Sequence, residues 1–296
     1  MKKVFSMILV IMMLAATFAL AASAVVGEGY HNYGEIANIE RNNIRLDAVK
    51  ESVYDAATPI PIKYQCKKAD GVSTEKWYPR ANEEAPAEGV AYIVYDTQYI
   101  WIYVEVTDST LITKAADALS SSYKEDCVEI LVDWANEGVS KTDDAPYQCR
   151  LTHEGYVSAR LGKDGNRMYG TAEQGATLPV NWLQGTAKHT DKGYDCEFRV
   201  DIPAEKYGDK IGEYISIGFT INDYDSTGKT NSRIMTSSDP VNGSNSWQVE
   251  KLGYIKFNYA PYTGDNTIYY VVAAMVAALA VGAVTVVTLK RRVASK

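Results

Sequence analysis

Two groups of residues in this 296-residue chain have the types and spacing to do chemistry. The first is YKEDCVEILVD, Tyr123 to Asp133. With the two-residue period of a strand, Val128, Ile130 and Val132 fall on one face and Glu129, Leu131 and Asp133 on the other, giving a core face and a face that offers carboxylates. The second is INDYDSTG, Ile221 to Gly228, which gathers Asn222, Asp223 and Asp225 in a loop, while Asp108 ends an earlier strand. Hard oxygen clusters of this kind suit calcium, which takes six to eight oxygen ligands. The twelve-residue EF-hand pattern is absent, and Asx-rich turns also form without metal. Catalytic signatures are missing: there is no G-x-S-x-G and no H-E-x-x-H. His31, His153 and His189 are scattered along the chain, and with Met168 and Met235 they show no spacing of a metal or haem site. Hydrolysis of a glycosidic bond needs only two carboxylates about 5 Å or 6.5–9.5 Å apart, and such a pair leaves no pattern among 37 acids.

The elements that must position these groups are strands. Apolar alternation marks Arg45 to Val49, Ile60 to Cys66, Gly89 to Tyr95, Tyr99 to Val106, Cys127 to Trp134, Tyr147 to Thr152, Tyr156 to Leu161, Tyr194 to Ile202, Tyr214 to Asn222 and Gly253 to Phe257. Asp96-Thr97-Gln98 closes a hairpin between the third and fourth of these. Short helical turns are expected near Leu111 to Ser120 and Pro203 to Tyr207. So many alternating strands without long helices between them predict a two-sheet antiparallel sandwich in an all-β domain. Tyr99, Trp101, Tyr103 and Glu105 form a stripe opposite Ile100, Ile102, Val104 and Val106; such a stripe is either a binding platform or, more often, a surface covered by long loops.

Both ends are apolar. Residues 1–24 open with Lys2 and Lys3 and end at Ala22-Ser23-Ala24, the pattern of a cleaved leader. Residues 267–289 carry no charge and, as a helix, reach about 34 Å, enough to cross the ~30 Å hydrocarbon layer. Lys290, Arg291, Arg292 and Lys296 then predict a short cytoplasmic tail, 290–296, and a single-pass protein whose amino-terminal part is extracellular. Between these ends lie a lead-in, 25–43, the sandwich, 44–258, and a juxtamembrane linker, 259–266. The chain has 30 Lys plus Arg and 37 Asp plus Glu; six of the basic residues sit in the terminal segments, so the remainder is strongly acidic, which excludes nucleic acid as a partner. Cys149 and Cys196 share strand parity with apolar residues, whereas Cys127 shares it with Glu129. If a disulfide forms, Cys149 with Cys196 is the pair that parity favours; buried free thiols are the alternative.

The YKEDCVEILVD strand, RLDAV near Arg45, YDTQYIWIYVEVTD from Tyr95, IGFTIND from Ile217 and SNSWQVEKLGYIKF from Ser244 together resemble carbohydrate-binding module family 9 over about 44 to 258. The resemblance implies a sugar-binding sandwich in which an apolar plate meets the C–H face of the sugar and planar polar groups meet its hydroxyls. Tyr123, three positions before the Asp of the D-x-V-E strand, is the implied plate. Glu129 of that motif and Arg150 of the Q-x-R pattern are the implied hydroxyl partners, or else a structural ion pair. Trp247 matches a Trp that the family also carries, in packing or in binding. The second stacking aromatic of the family precedes a Ser-Asp-Pro triplet, where this sequence has Ser237. Trp77, in EKWYPR, is a candidate replacement. Structural calcium is also implied, with Asp108, Asp223 and Asp225 as ligands. The functional expectation is a non-catalytic surface protein binding plant oligo- or polysaccharides of xylan or glucan type. The alternatives are a protein associated with glycoside hydrolysis, itself a xylanase-type enzyme if catalytic, and an adhesion sandwich that has lost sugar binding.

Overall fold

The computed structural model describes residues 31–39, 44–68, 77–79, 87–113, 125–134, 146–161, 167–170, 183–203, 213–224, 233–239 and 252–257. The leader, the apolar segment 267–289 and the tail lie outside these residues. Among the described residues no helix is long and apolar enough to cross a membrane.

Apolar alternation produces strands where it was expected. β5 (Glu88–Tyr95) and β6 (Tyr99–Thr107) form the hairpin, and the Asp96 carboxylate closes its turn by accepting the Gln98 and Tyr99 amides. β7 (Cys127–Asp133), β8 (Pro146–Thr152) and β9 (Val157–Leu161) follow as a meander. β12 (Gly193–Asp201), β13 (Tyr214–Tyr224) and β15 (Gly253–Phe257) also match their sequence patterns. Ile60 to Cys66 is two strands, not one. β2 (Ile60–Ile62) joins β5, and after Lys63 the chain changes partner, so that β3 (Tyr64–Lys68) joins β14 (Arg233–Ser237). Arg45 to Val49 is a bend, with Ala48 at φ 54°, because its amides are tied to a side chain rather than to a neighbouring strand.

The expected antiparallel pairing holds except at β1 (Asn32–Asn38), a strand that the sequence reading placed in the lead-in. β1 runs parallel to β15 through its first half and parallel to β5 through its last two residues. Gly34, at φ 99° within the register shift, lets the strand turn from one partner to the other. One half of the sheet therefore runs β10 (Arg167–Gly170), β9, β8, β7, β13, with β15 and β14 sharing the far edge of β13. The other runs β1, β5, β6, β12 and β11 (Leu183–Thr190). β4 (Trp77–Pro79) pairs with β3.

The two halves face each other across one core. Ile93, Ile102, Val104, Phe198 and Val200 from one half meet Val128, Ile130, Ile217, Phe219 and Ile221 from the other. Gly253 has no room for a side chain, since a Cβ there would lie 2.2 Å from the Tyr33 ring that β1 lays over it. The aromatic stripe on β6 is covered. Trp101 and Tyr103 pack with Tyr54 and Ala57 of the segment that precedes β2, forming a second, smaller core. Four buried cysteines, Cys66, Cys127, Cys149 and Cys196, are free thiols, so the Cys149 to Cys196 bridge does not form. Cys149 and Cys196 do face the core, and burial pushes both thiols far up.

Candidate functional site

Register fixes which side chains share the outer face of the first half of the sheet. Because directly paired residues lie on one face, the pairs Ser158 with Arg150, Arg150 with Glu129, Glu129 with Thr220, Thr220 with Ser237, and Ser237 with Tyr64 define a single row. The row crosses β9, β8, β7, β13, β14 and β3, about 24 Å at the usual strand spacing.

Its centre is an ion pair. The Arg150 Nε–H donates to Glu129 Oε1 at 2.6 Å, Nη2 contacts the same oxygen, and Gln148 Nε2 donates to Oε2 at 3.3 Å. Glu129 and Arg150 are 2% and 5% exposed. The carboxylate face expected to look into solvent is thus buried, as are Cys127, Leu131 and Asp133 on the same strand. Leu131 explains part of this, since it packs under Leu252 just before β15. A carboxylate so placed needs its guanidinium partner, whatever else the two side chains do.

Ser237, at the position where an aromatic was expected, is buried and accepts the Asp239 amide at 3.0 Å. Beside it Ser238 bonds the Tyr33 hydroxyl at 2.7 Å and accepts the Phe219 amide. Ser238 thus braces the end of β14 against β13. The aromatic at this end of the row is Tyr64, half-buried and paired with Ser237. Sequence reasoning missed it because Ile60 to Cys66 was read as one strand, which hides the change of partner. Trp77 pairs with Lys68, at the far end of β3 from Tyr64. Tyr123 and Trp247 lie outside the described residues.

A second constellation occupies the end of the sandwich where β6, β7 and β13 meet. Carboxylate oxygens of Asp108, Asp126 and Asp223 lie within 4.8 Å of one another, and all three residues are buried. Asp108 and Asp223 were expected here; Asp126, the Asp of the D-x-V-E motif, was not, and Asp225 lies outside the described residues. Asp126 accepts the Tyr224 amide at 2.7 Å and the Ile112 amide. Burial, reinforced by the neighbouring Asp108 and Asp223, pushes its carboxyl up to about 7. Oδ2 of Asp108 is buried without a hydrogen-bond partner. Three converging carboxylates with an orphaned oxygen fit a hard divalent cation, which would offset most of their charge.

The match to known proteins covers the strands that build both constellations: residues 46–255 match the carbohydrate family 9 binding domain-like family. The chain belongs to that family. Its fold is similar to that of the family 9 carbohydrate-binding module of Caldicellulosiruptor kristjanssonii. In the complex of that module with glucose the TM-score is 0.55 at 13% identity, over 77% of this chain and 95% of the module. In the complex with cellotriose the values are 0.52 and 14%, over 76% and 93%. Among curated proteins, Exoglucanase XynX of Acetivibrio thermocellus is 27% identical over 183 residues, 61% of this chain. The match spans only 14% of that enzyme's length.

Proposed function

We propose that this chain is a non-catalytic, membrane-held protein that binds oligo- or polysaccharides of the plant glucan or xylan type along the outer row from Ser158 to Tyr64. The observation that carries the reading is the end of the row in a member of a carbohydrate-binding family: Tyr64, half-buried, offers the apolar plate that sugar recognition needs, on a sheet that the buried Glu129–Arg150 pair holds in place. The glucose and cellotriose bound by solved relatives support glucans as the first ligands to try. In this reading Tyr64 is the plate at the Ser237 end, Tyr123 supplies the other, and Glu129 and Arg150 hold the surface between them. Calcium bound by Asp108, Asp126 and Asp223 pins the loops beside the row.

Titration calorimetry of the full-length protein with cello- and xylo-oligosaccharides, in calcium and in chelator, tests this. Binding is expected in calcium without release of reducing sugar, weakened about fivefold to tenfold by Tyr64→Ala, since one aromatic contact contributes about 1 kcal/mol. Chelator is expected to lower the melting temperature. Equal binding by Tyr64→Ala would move the site off this row, and a chelator without effect on melting would remove calcium. A parent that binds nothing would favour the adhesion reading, to which the serine at 237 already lends support.

The membrane anchor is residues 267–289, with the folded part outside, a reading supported by the apolar length, the basic stop and the leader pattern. Protease added to intact cells should remove the folded part and leave a small membrane-bound fragment. A chain fully protected in cells that have no outer membrane would overturn this orientation.

A further inference from the structure

Two of the three scattered histidines meet at one edge of the sandwich. His153 and Glu154 are the central residues of the turn between β8 and β9, which Gly155 closes at φ 85° with its amide on the Thr152 carbonyl. His189 stands near the end of β11, in the opposite half of the sheet. The imidazoles meet end to end, with centroids 5.2 Å and planes 21° apart, and His153 Nδ1 lies 3.0 Å from His189 Nε2. Glu154 Oε1 is 3.7 Å from the first nitrogen and 3.9 Å from the second.

We propose that His153 Nδ1, His189 Nε2 and Glu154 Oε1 form a binding site for a late first-row divalent cation, zinc in the first instance, that bridges the two halves of the sheet. The three atoms form a triangle with edges of 3.0, 3.7 and 3.9 Å. Tetrahedral zinc with bonds of about 2.0–2.1 Å holds its ligands about 3.3 Å apart, so the triangle has nearly the size of one face of that tetrahedron. A point about 2.1 Å from all three atoms lies between them, and seating an ion there requires both rings, chiefly the exposed His189, to tilt until the two nitrogens turn from each other onto that point. Two imidazoles and one carboxylate favour zinc over calcium, which prefers oxygen alone.

The surroundings prepare the lone pairs. The Thr113 hydroxyl donates to Glu154 Oε1 at 3.0 Å and therefore accepts from His153 Nε2–H at 3.1 Å. His153 Nδ1 is then the unprotonated nitrogen, aimed at His189, and this is the arrangement by which an outer hydrogen bond fixes a ligating tautomer. In the metal-free protein His189 Nε2–H fills the gap. On binding, that hydrogen moves through solvent to Nδ1 of the same ring, so both imidazoles stay neutral and no net proton is released. His153 is buried, while His189 and Glu154 side chains are 53% and 38% exposed, leaving a fourth position open to water.

The test is zinc titration of the full-length protein, free of any polyhistidine tag and in excess calcium to occupy the three-aspartate cluster. One zinc per chain is expected, with a rise in melting temperature because the ion joins β11 to the β8–β9 turn. His189→Ala and Glu154→Gln, both at exposed side chains, should each weaken zinc binding at least about tenfold. Their metal-free melting temperatures should stay close to that of the parent, and Asp108→Asn should leave zinc binding unchanged. Cobalt(II) in place of zinc should give the visible absorption of a four-coordinate site, lost in His189→Ala. Absence of zinc binding by the parent, or unchanged binding by both variants, would overturn the assignment.

Discussion

Replacing Arg150 by alanine is expected to destabilise the protein by about 3–5 kcal/mol, the usual result of stripping one partner from a buried ion pair. Glu129 would lose its guanidinium partner while keeping the long contact from Gln148, in a position 2% exposed to water. Against the 5–15 kcal/mol typical of folded domains this is a large fraction, and it should lower the melting temperature by on the order of ten degrees. The double variant Glu129→Leu with Arg150→Met removes both charges and keeps their volume, so it should recover most of the loss. Thermal unfolding of the parent, the single and the double variant makes the comparison. A single variant that melts with the parent would mean that the pair is hydrated and free to engage a ligand. Loss of sugar binding in Arg150→Ala could then be read as a lost contact; with the pair buried, it would report a damaged sheet instead, and Tyr64→Ala is the cleaner probe.

Stability is also expected to depend on pH through Glu197. This carboxyl on β12 accepts the Tyr54 hydroxyl at 2.8 Å and the Asp47 and Ala48 amides at 3.0 Å, fastening the segment that covers the aromatic stripe of β6. Burial outweighs these donors and pushes its carboxyl up to about 7. As pH rises through the range from about 4.5 to 7, the unfolded chain has released this proton and the folded chain still holds it. The folded state binds more protons, so this group's contribution to stability is fully present below 4.5 and declines until 7, by about 3 kcal/mol in all. Glu197→Gln keeps the shape and cannot titrate. The difference in unfolding free energy between parent and variant, measured by denaturant melts at several pH values, should therefore move by about that amount in favour of the variant as pH rises. A constant difference across the range would show that Glu197 remains ionised in the fold.

Most strands were legible because their alternation is set locally: Val128, Ile130 and Val132, or Ile215, Ile217, Phe219 and Ile221, fall on the core face that period two assigns them. What could not be read locally was pairing. Nothing in NYGEIAN declares a parallel partner more than two hundred residues away, and nothing at Lys63 announces that the chain leaves one half of the sheet for the other. The same limit applies to the sites. Asp108 and Asp223 could be picked out by residue type, but Asp126 joins them only through the register of β7 against β13. His153 and His189 are 36 residues apart, and they meet because the two sheet halves face each other. The parity of Glu129 was readable, whereas its burial was not, since its partners Arg150 and Gln148 arrive from β8.

The position of β1 has a consequence for how the chain reaches this state. Among the described residues β1 is the first strand made, and it lies between β5 and the last, β15, so the two halves of the sheet cannot be joined along that seam until residue 257 is available. Closing so long a loop costs chain entropy before any ladder bond repays it, which places β1–β15 docking late in folding. Until then β13 and β5 expose part of their edges, and it is in that interval that pairing with another chain competes with completing the fold.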